Sequence, residues 1–201
     1  MPTHHPADAH PCLRGRRPVH CVLLWTAVAL LASCATNDNL QGAEANIDVH
    51  AIVAQRGVAR PNTSVAIIDL RETTTQERTG FGAMSMGTVT FNPGEVDLVR
   101  QIVEAKVNEV LAEGTGQNGS ERIAVGIRAF HVTTPATLLY WDVTTRVELV
   151  LRVRGRDKTA AGSAMERTYT WPGKHLIERV TTKALQQVAQ ETELALRELF
   201  L

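Results

Sequence analysis

The feature that most limits what this chain can fold into is a long alternation in its second half. From Thr137 to Val153, Leu139, Trp141, Val143, Val147, Leu149, Leu151 and Val153 fall on one side of a two-residue period. Asp142, Thr144, Arg146, Glu148, Arg152 and Arg154 fall on the other. Successive side chains of an extended strand point to opposite faces, so this pattern predicts a long strand with one face packed and one face wet. One-sided wetting belongs to antiparallel sheets, because parallel sheets are covered on both faces. The apolar face then has to be buried against another layer.

Two segments have the period to supply that layer. Asn92-Pro93-Gly94-Glu95 reads as a helix start, with Asn at the N-cap, Pro at the first helical position and Glu two residues on. The helix is expected to run to about Glu113, with Val96, Val99, Ile102, Val103, Val107, Val110 and Leu111 in one stripe and Arg100, Glu104 and Lys106 toward water. His175 to Leu199 predicts a second, longer helix, with Ile177, Val180, Ala184, Val188 and Leu199 on its apolar side.

Strands account for much of the remainder. Ile47 to Val53 suggests a short leading strand, and Ser64 to Leu70 is apolar and β-branched enough for a strand buried on both faces. Residues 72–91 read as a loop or loose hairpin around Gly80, Gly82 and Gly87. Arg122 to Thr133 alternates, with Ile123, Val125, Ile127 and Ala129 on one face. Gly155 to Gly162 reads as a polar turn, and Ala164 to Trp171 as a strand ended by Pro172-Gly173. The expectation is an α+β two-layer sandwich, with a mainly antiparallel sheet carrying two long helices on one face. Its order is strand-helix-strand-strand-strand-helix, after the short leading strand.

Residues 1–33 do not belong to that domain. Arg14, Arg16 and Arg17 precede an apolar run of 10 residues, Val22 to Leu31, which small residues follow. This is the plan of an export signal, and the run is short of the roughly 20 residues a spanning helix needs. The cleavage region, Leu31-Ala32-Ser33-Cys34, resembles the lipobox of bacterial lipoproteins. That resemblance implies a diacylglyceryl group on the Cys34 thiol, cleavage after Ser33, and a palmitate-type acyl chain on the new amino group. Ala35 after the cysteine implies the outer membrane by the sorting rule of such lipoproteins. Of the 3 cysteines, Cys12 and Cys21 would leave with the signal, and the mature chain would hold neither a free thiol nor a disulfide. The division is residues 1–33 as signal peptide, 34–45 as lipidated N-terminus and tether, and 46–201 as one periplasmic domain.

On these residues the chain resembles the YajG-like family of bacterial lipoproteins. The likeness is carried by the lipobox ending at Cys34, the IDVHAIV segment at 47–53, VAIIDLR at 65–71 and the NPGE-opened helix ending at Glu113-Gly114. It implies a non-enzymatic, periplasm-facing protein that binds or assembles with an envelope partner. A related two-layer plan in lipoproteins of lipid or lipopolysaccharide transport supplies the alternative.

Composition excludes other classes. The 201 residues carry zero formal net charge and are 44% apolar and 21% charged, which fits a folded domain and gives no basic excess for nucleic acid. Nor does the sequence hold a catalytic or metal pattern. After residue 33 the only histidines are His50, His131 and His175, no cysteine is free beside them, and no G-x-S-x-G occurs. No cofactor is implied beyond the covalent lipid. Two surfaces remain as candidates: a partner-docking loop with Phe81, Met84 and Met86, and an anion-binding strand face with Arg146, Arg152 and Arg154.

Overall fold

The computed structural model describes residues 42–53, 64–79, 85–113 and 122–200. Among these described residues, seven strands and two long helices follow one another: β1 (Ala43–Asn46), β2 (Ser64–Asp69), β3 (Gln76–Thr79), β4 (Ser85–Asn92), α1 (Glu95–Glu113), β5 (Arg122–Thr133), β6 (Trp141–Val153), β7 (Arg156–Thr168) and α2 (Lys174–Phe200). The class is α+β, with the helices and the later strands in the expected order. The strands divide between two open sheets, one ordered β2-β5-β6-β7 and a smaller one ordered β1-β4-β3. Pairing is antiparallel except for β1 with β4 and β2 with β5.

The alternation of β6 sets the architecture. Val143, Val147, Leu149, Leu151 and Val153 are fully buried, while Arg146 and Arg152 on the reverse face are exposed. β7 then returns along β6 through a two-residue turn. Arg154 and Gly155 occupy it at φ 52° and 77°, the positive values such turns require. Thus the expected polar turn Gly155–Gly162 is strand from Arg156 onward, with only Gly155 in the turn, and Arg154 sits in the turn rather than on the strand face. The polar residues that suggested a loop point instead to the wet face and toward α2. Gly162 lets α2 lie close on β7: a Cβ there would stand 2.3 Å from the Ala184 carbonyl oxygen.

α2 packs on β6 and β7, and α1 packs beside it on β2. The expected α1 stripe is buried except for Val96, which is half-buried, and Leu98 joins it. Lys106 is not on the water side. It lies between the helices, with Nζ 2.8 Å from both Glu109 and Glu193. Burial pushes the Lys106 pKa down, but hydrogen bonds to those two carboxylates more than reverse this and the net shift is upward.

Several local expectations change for reasons visible in the backbone. Asn92 does not cap α1. Its carbonyl accepts from Ile47 and its side chain donates to Asn46, so it stays in the β4 ladder and Gly94 takes the cap, accepting from Leu98 at 2.9 Å. The leading strand is Ala43–Asn46, so residues 43–45 are sheet and not tether. Ile47–Val53 instead turns through a short 3-10 helix, where the Asp48 carboxylate accepts from the His50 amide at 2.9 Å. β2 is an edge strand whose outer face is open, leaving Ile68 51% exposed.

In β5 a bulge between Ile127 and Ala129 breaks the alternation. An extra residue reverses the parity, so Phe130 and Val132 take the core positions beyond it. β2 ends level with Ile127, which leaves the far half of β5 without a strand on that side. The side chain of Gln76 fills the gap. Its Nε2 donates to the Phe130 carbonyl at 2.5 Å, and its Oε1 accepts from the Val132 amide at 2.9 Å. One side-chain amide thus stands in for a peptide unit and joins β3 to β5. Phe91 of β4 packs edge-on against Phe130 at 5.3 Å and seals the same junction.

Candidate functional site

One end of the domain gathers the chain's unusual side chains. β5 ends there at Thr133, β6 begins at Trp141, β7 ends at Thr168 and α2 begins at Lys174. The β5–β6 connection is a tight, self-bonded turn. The Thr137 hydroxyl accepts from the amides of Leu139 (3.3 Å) and Tyr140 (3.1 Å), and the Thr137 amide donates to the Tyr140 carbonyl at 2.8 Å. A threonine hydroxyl used this way replaces a backbone acceptor and holds the turn open to solvent. Leu138 and Leu139 form its tip at 83% and 76% exposure. Leu139 is not in the core as expected, because the strand begins only at Trp141 and the alternation does not reach it.

Beneath the tip lies an aromatic cluster. Both tyrosines and two of the 3 tryptophans of the sequence are here. Trp141 and Trp171 meet edge to face at 6.0 Å, and Tyr140 and Tyr169 at 6.4 Å. Arg167 lies 3.8 Å over the Tyr140 ring while its guanidinium grips Asp142 through bonds of 2.8 and 3.1 Å. That side-chain hydrogen bond holds the Asp142 carboxyl below its ordinary pKa. Arg78 of β3 is buried against the cluster, 5.7 Å from the centre of the Trp171 ring, and burial lowers its pKa. Among the described residues, the indole N–H groups of both tryptophans are buried without a hydrogen-bond acceptor.

Beside the cluster an open depression of about 290 Å³ is lined by Glu166, Thr168, Trp171, His175 and Arg179, among others. Its chemistry is that of paired charges. Arg179 hydrogen-bonds Glu166 and lowers its pKa, with Lys183 3.5 Å away. His175 Nδ1 lies 2.9 Å from Glu178 on the exposed first turn of α2.

The residues singled out by sequence are not brought together. Cys34, Phe81 and Met84 lie outside the described residues, and Met86 is half-buried on β4. Arg146 and Arg152 lie on the wet face of β6, where each meets a carboxylate: Arg146 reaches Glu148 at 3.1 Å and Arg152 reaches Asp157 at 2.6 Å. Arg154 is in the following turn. His50, His131 and His175 are on separate elements, and no group of His, Cys, Asp and Glu among the described residues could hold a metal ion. The aromatic end was missed by sequence reading. Its signal is the pair of short segments Leu138-Leu139-Tyr140-Trp141 and Tyr169-Thr170-Trp171, in a chain with only 4% aromatic residues.

No family model matches the chain, and no curated protein matches it. Among solved structures it is similar to a Xanthomonas campestris protein of the DUF330 family model, at 12% identity over 76% of this chain and 89% of that one, with a TM-score of 0.40. An uncharacterized protein is similar at 14% identity over 80% and 92%, with a TM-score of 0.38. A candidate lipoprotein from Caulobacter crescentus is similar at 9% identity over 49% and 80%, with a TM-score of 0.29. Similarity this weak carries no argument about activity. No helix among the described residues is long and apolar enough to cross a membrane.

Proposed function

We propose that this chain is a lipid-anchored protein of the bacterial cell envelope, of YajG-like type. It is held in the outer membrane by acyl chains on Cys34 and faces the periplasm. It acts there as a non-enzymatic binding or assembly accessory. The observation that carries this reading is the Leu31-Ala32-Ser33-Cys34 sequence directly behind a basic segment and a 10-residue apolar run. Each buried acyl methylene contributes about 0.8 kcal/mol, so the several chains of a processed lipoprotein hold a domain at a membrane without any spanning helix.

The test is intact mass and membrane fractionation of the expressed protein beside Cys34→Ser. A mass beginning at Cys34 with added acyl groups, found in the outer-membrane fraction and lost in the variant, supports the reading. An unacylated wild-type protein in the soluble fraction overturns it.

A further inference from the structure

The aromatic end is also the end at which the chain enters the domain. A Cβ on Gly87 would stand 3.5 Å from the Gly42 nitrogen and 3.2 Å from Arg78 Nη2, so the first described residue, Gly42, lies beside Arg78. Arg78 in turn packs on Trp171, and Trp171 on Trp141. β1 then leaves this end alongside α2: Asn46 donates to Glu178 at 2.8 Å, and the Ala51 carbonyl accepts from Gln186 at 3.1 Å. Gly42 is only eight residue steps along the chain from Cys34. Fully extended, eight residues reach at most about 28 Å.

The most exposed large apolar and aromatic side chains among the described residues are at this same end. They are Leu138 (83%), Leu139 (76%) and Tyr169 (73%). Leucines on a rigid tip above tyrosine and tryptophan rings are the side chains that favour the boundary between lipid headgroups and acyl chains. We propose that this end is a membrane-contact surface. The Leu138–Leu139 tip and Tyr169 seat in the leaflet that holds the Cys34 acyl chains, and so fix the orientation of the domain. The inference rests on acylation at Cys34 and adds a second, protein-borne contact to it.

The test uses the mature, acylated protein bearing Leu138→Cys as its free thiol. An environment-sensitive dye is attached there, and the protein is reconstituted into phosphatidylethanolamine–phosphatidylglycerol vesicles with or without bromines on the acyl chains. A dye at Thr159→Cys is the control. Thr159 is exposed and pairs with Val150, nine residues along β6 from Trp141 and so about 30 Å from the tip. The expected result is bromine quenching at position 138 and none at 159. Burying one leucine side chain is worth about tenfold or more in an equilibrium, so adding Leu139→Asp should lower the docked-to-undocked ratio by about that factor.

Equal, absent quenching at both positions in protein shown by mass to be acylated overturns the contact and leaves the anchor standing. Shielding of position 138 from an aqueous quencher without bromine quenching means that protein covers the tip, and also overturns it. If mass shows no acylation, the anchor fails by itself. The unacylated chain is then sedimented with the same vesicles. Pelleting that is lost in Leu138→Asp/Leu139→Asp, with circular dichroism unchanged, supports the surface, and a wild-type chain that stays in solution overturns it.

Discussion

Replacing Gln76 with methionine tests whether one side-chain amide holds the two sheets together. Methionine keeps the length and approximate volume of glutamine and removes both hydrogen bonds. The Phe130 carbonyl and the Val132 amide would then be buried on a half-strand that β2 does not reach. Each orphaned backbone group costs about 1–3 kcal/mol, and a domain is typically stable by only about 5–15 kcal/mol. The expected loss is therefore about 3 kcal/mol. With a urea m-value near 2 kcal/mol/M, the midpoint falls by about 1.5 M with little change in slope. Trp141 and Trp171 report the transition by fluorescence, and hydrogen exchange at the Val132 amide should accelerate more than exchange in the centre of β6. Gln76→Glu sharpens the test. A buried carboxylate resists ionising, so its cost should be smaller at pH 4, where the group can still donate to Phe130, than at pH 7. A Gln76→Met midpoint within about 0.3 M of wild type, with Val132 exchange unchanged, would refute the reasoning.

Other consequences are as direct. Gly162→Ala places a methyl 2.3 Å from the Ala184 carbonyl oxygen and 2.9 Å from the Val188 amide nitrogen, so α2 must lift from β7; a loss of about 3 kcal/mol is expected in thermal or urea unfolding, as overpacking typically gives. The Lys106 hydrogen bond first, and then that of Arg197, hold Glu193 below the ordinary carboxylate pKa. A depressed carboxylate stabilises the fold above its unfolded pKa of about 4.3 and loses that contribution as pH falls through the lower folded value. The stability gap between wild type and Glu193→Gln, about 0.5–1 kcal/mol at pH 7, should therefore close in acid, and a gap that persists at pH 2 would remove the ion-pair explanation. Thr137→Ala deprives two turn amides of their acceptor; it should cost about 1 kcal/mol and raise amide exchange at Leu139 and Tyr140 while leaving β6 protected.

How much of this was legible depends on the period of each segment. β6 and α2 have long, regular patterns, and both appear within a few residues of their expected bounds. β7 was half hidden, because its inner face carries Ala160, Gly162 and Ala164, residues chosen for the close approach of α2 rather than for hydrophobicity. The β5 bulge is invisible to any alternation rule, since one extra residue reverses the face without changing the composition. Gln76 reads as an ordinary polar residue in a Thr-rich stretch. Only the shortfall of β2 against β5, a tertiary fact, makes it structural. The aromatic end fails for a similar reason. Tyr140-Trp141 and Tyr169-Trp171 are separated in sequence, and only the register of the hairpin, Trp141 opposite Thr168, brings them to one place.

That register also constrains how an anchored domain can face its membrane. β6 has 13 residues, so the sheet extends about 43 Å from the aromatic end to the Arg154-Gly155 turn. The eight residue steps from Cys34 to Gly42 reach about 28 Å at most, and they join the domain at the aromatic end. With Cys34 acylated, the domain therefore cannot invert to put the Arg154 turn against the leaflet, because the entry point would then stand farther from the lipid than the linker extends. It can lie on its side or stand on its aromatic end. On its side it would press the wet face of β6 and β7 into the headgroups, where Arg152 with Asp157 and Arg167 with Asp142 are already matched as exposed pairs and gain little from lipid. Standing on its end buries Leu138, Leu139 and Tyr169 instead, and burying those side chains stabilises more than the matched charges could gain. Linker length and the distribution of exposed apolar surface select the same orientation, with the hairpin turn of β6 and β7 carried outward.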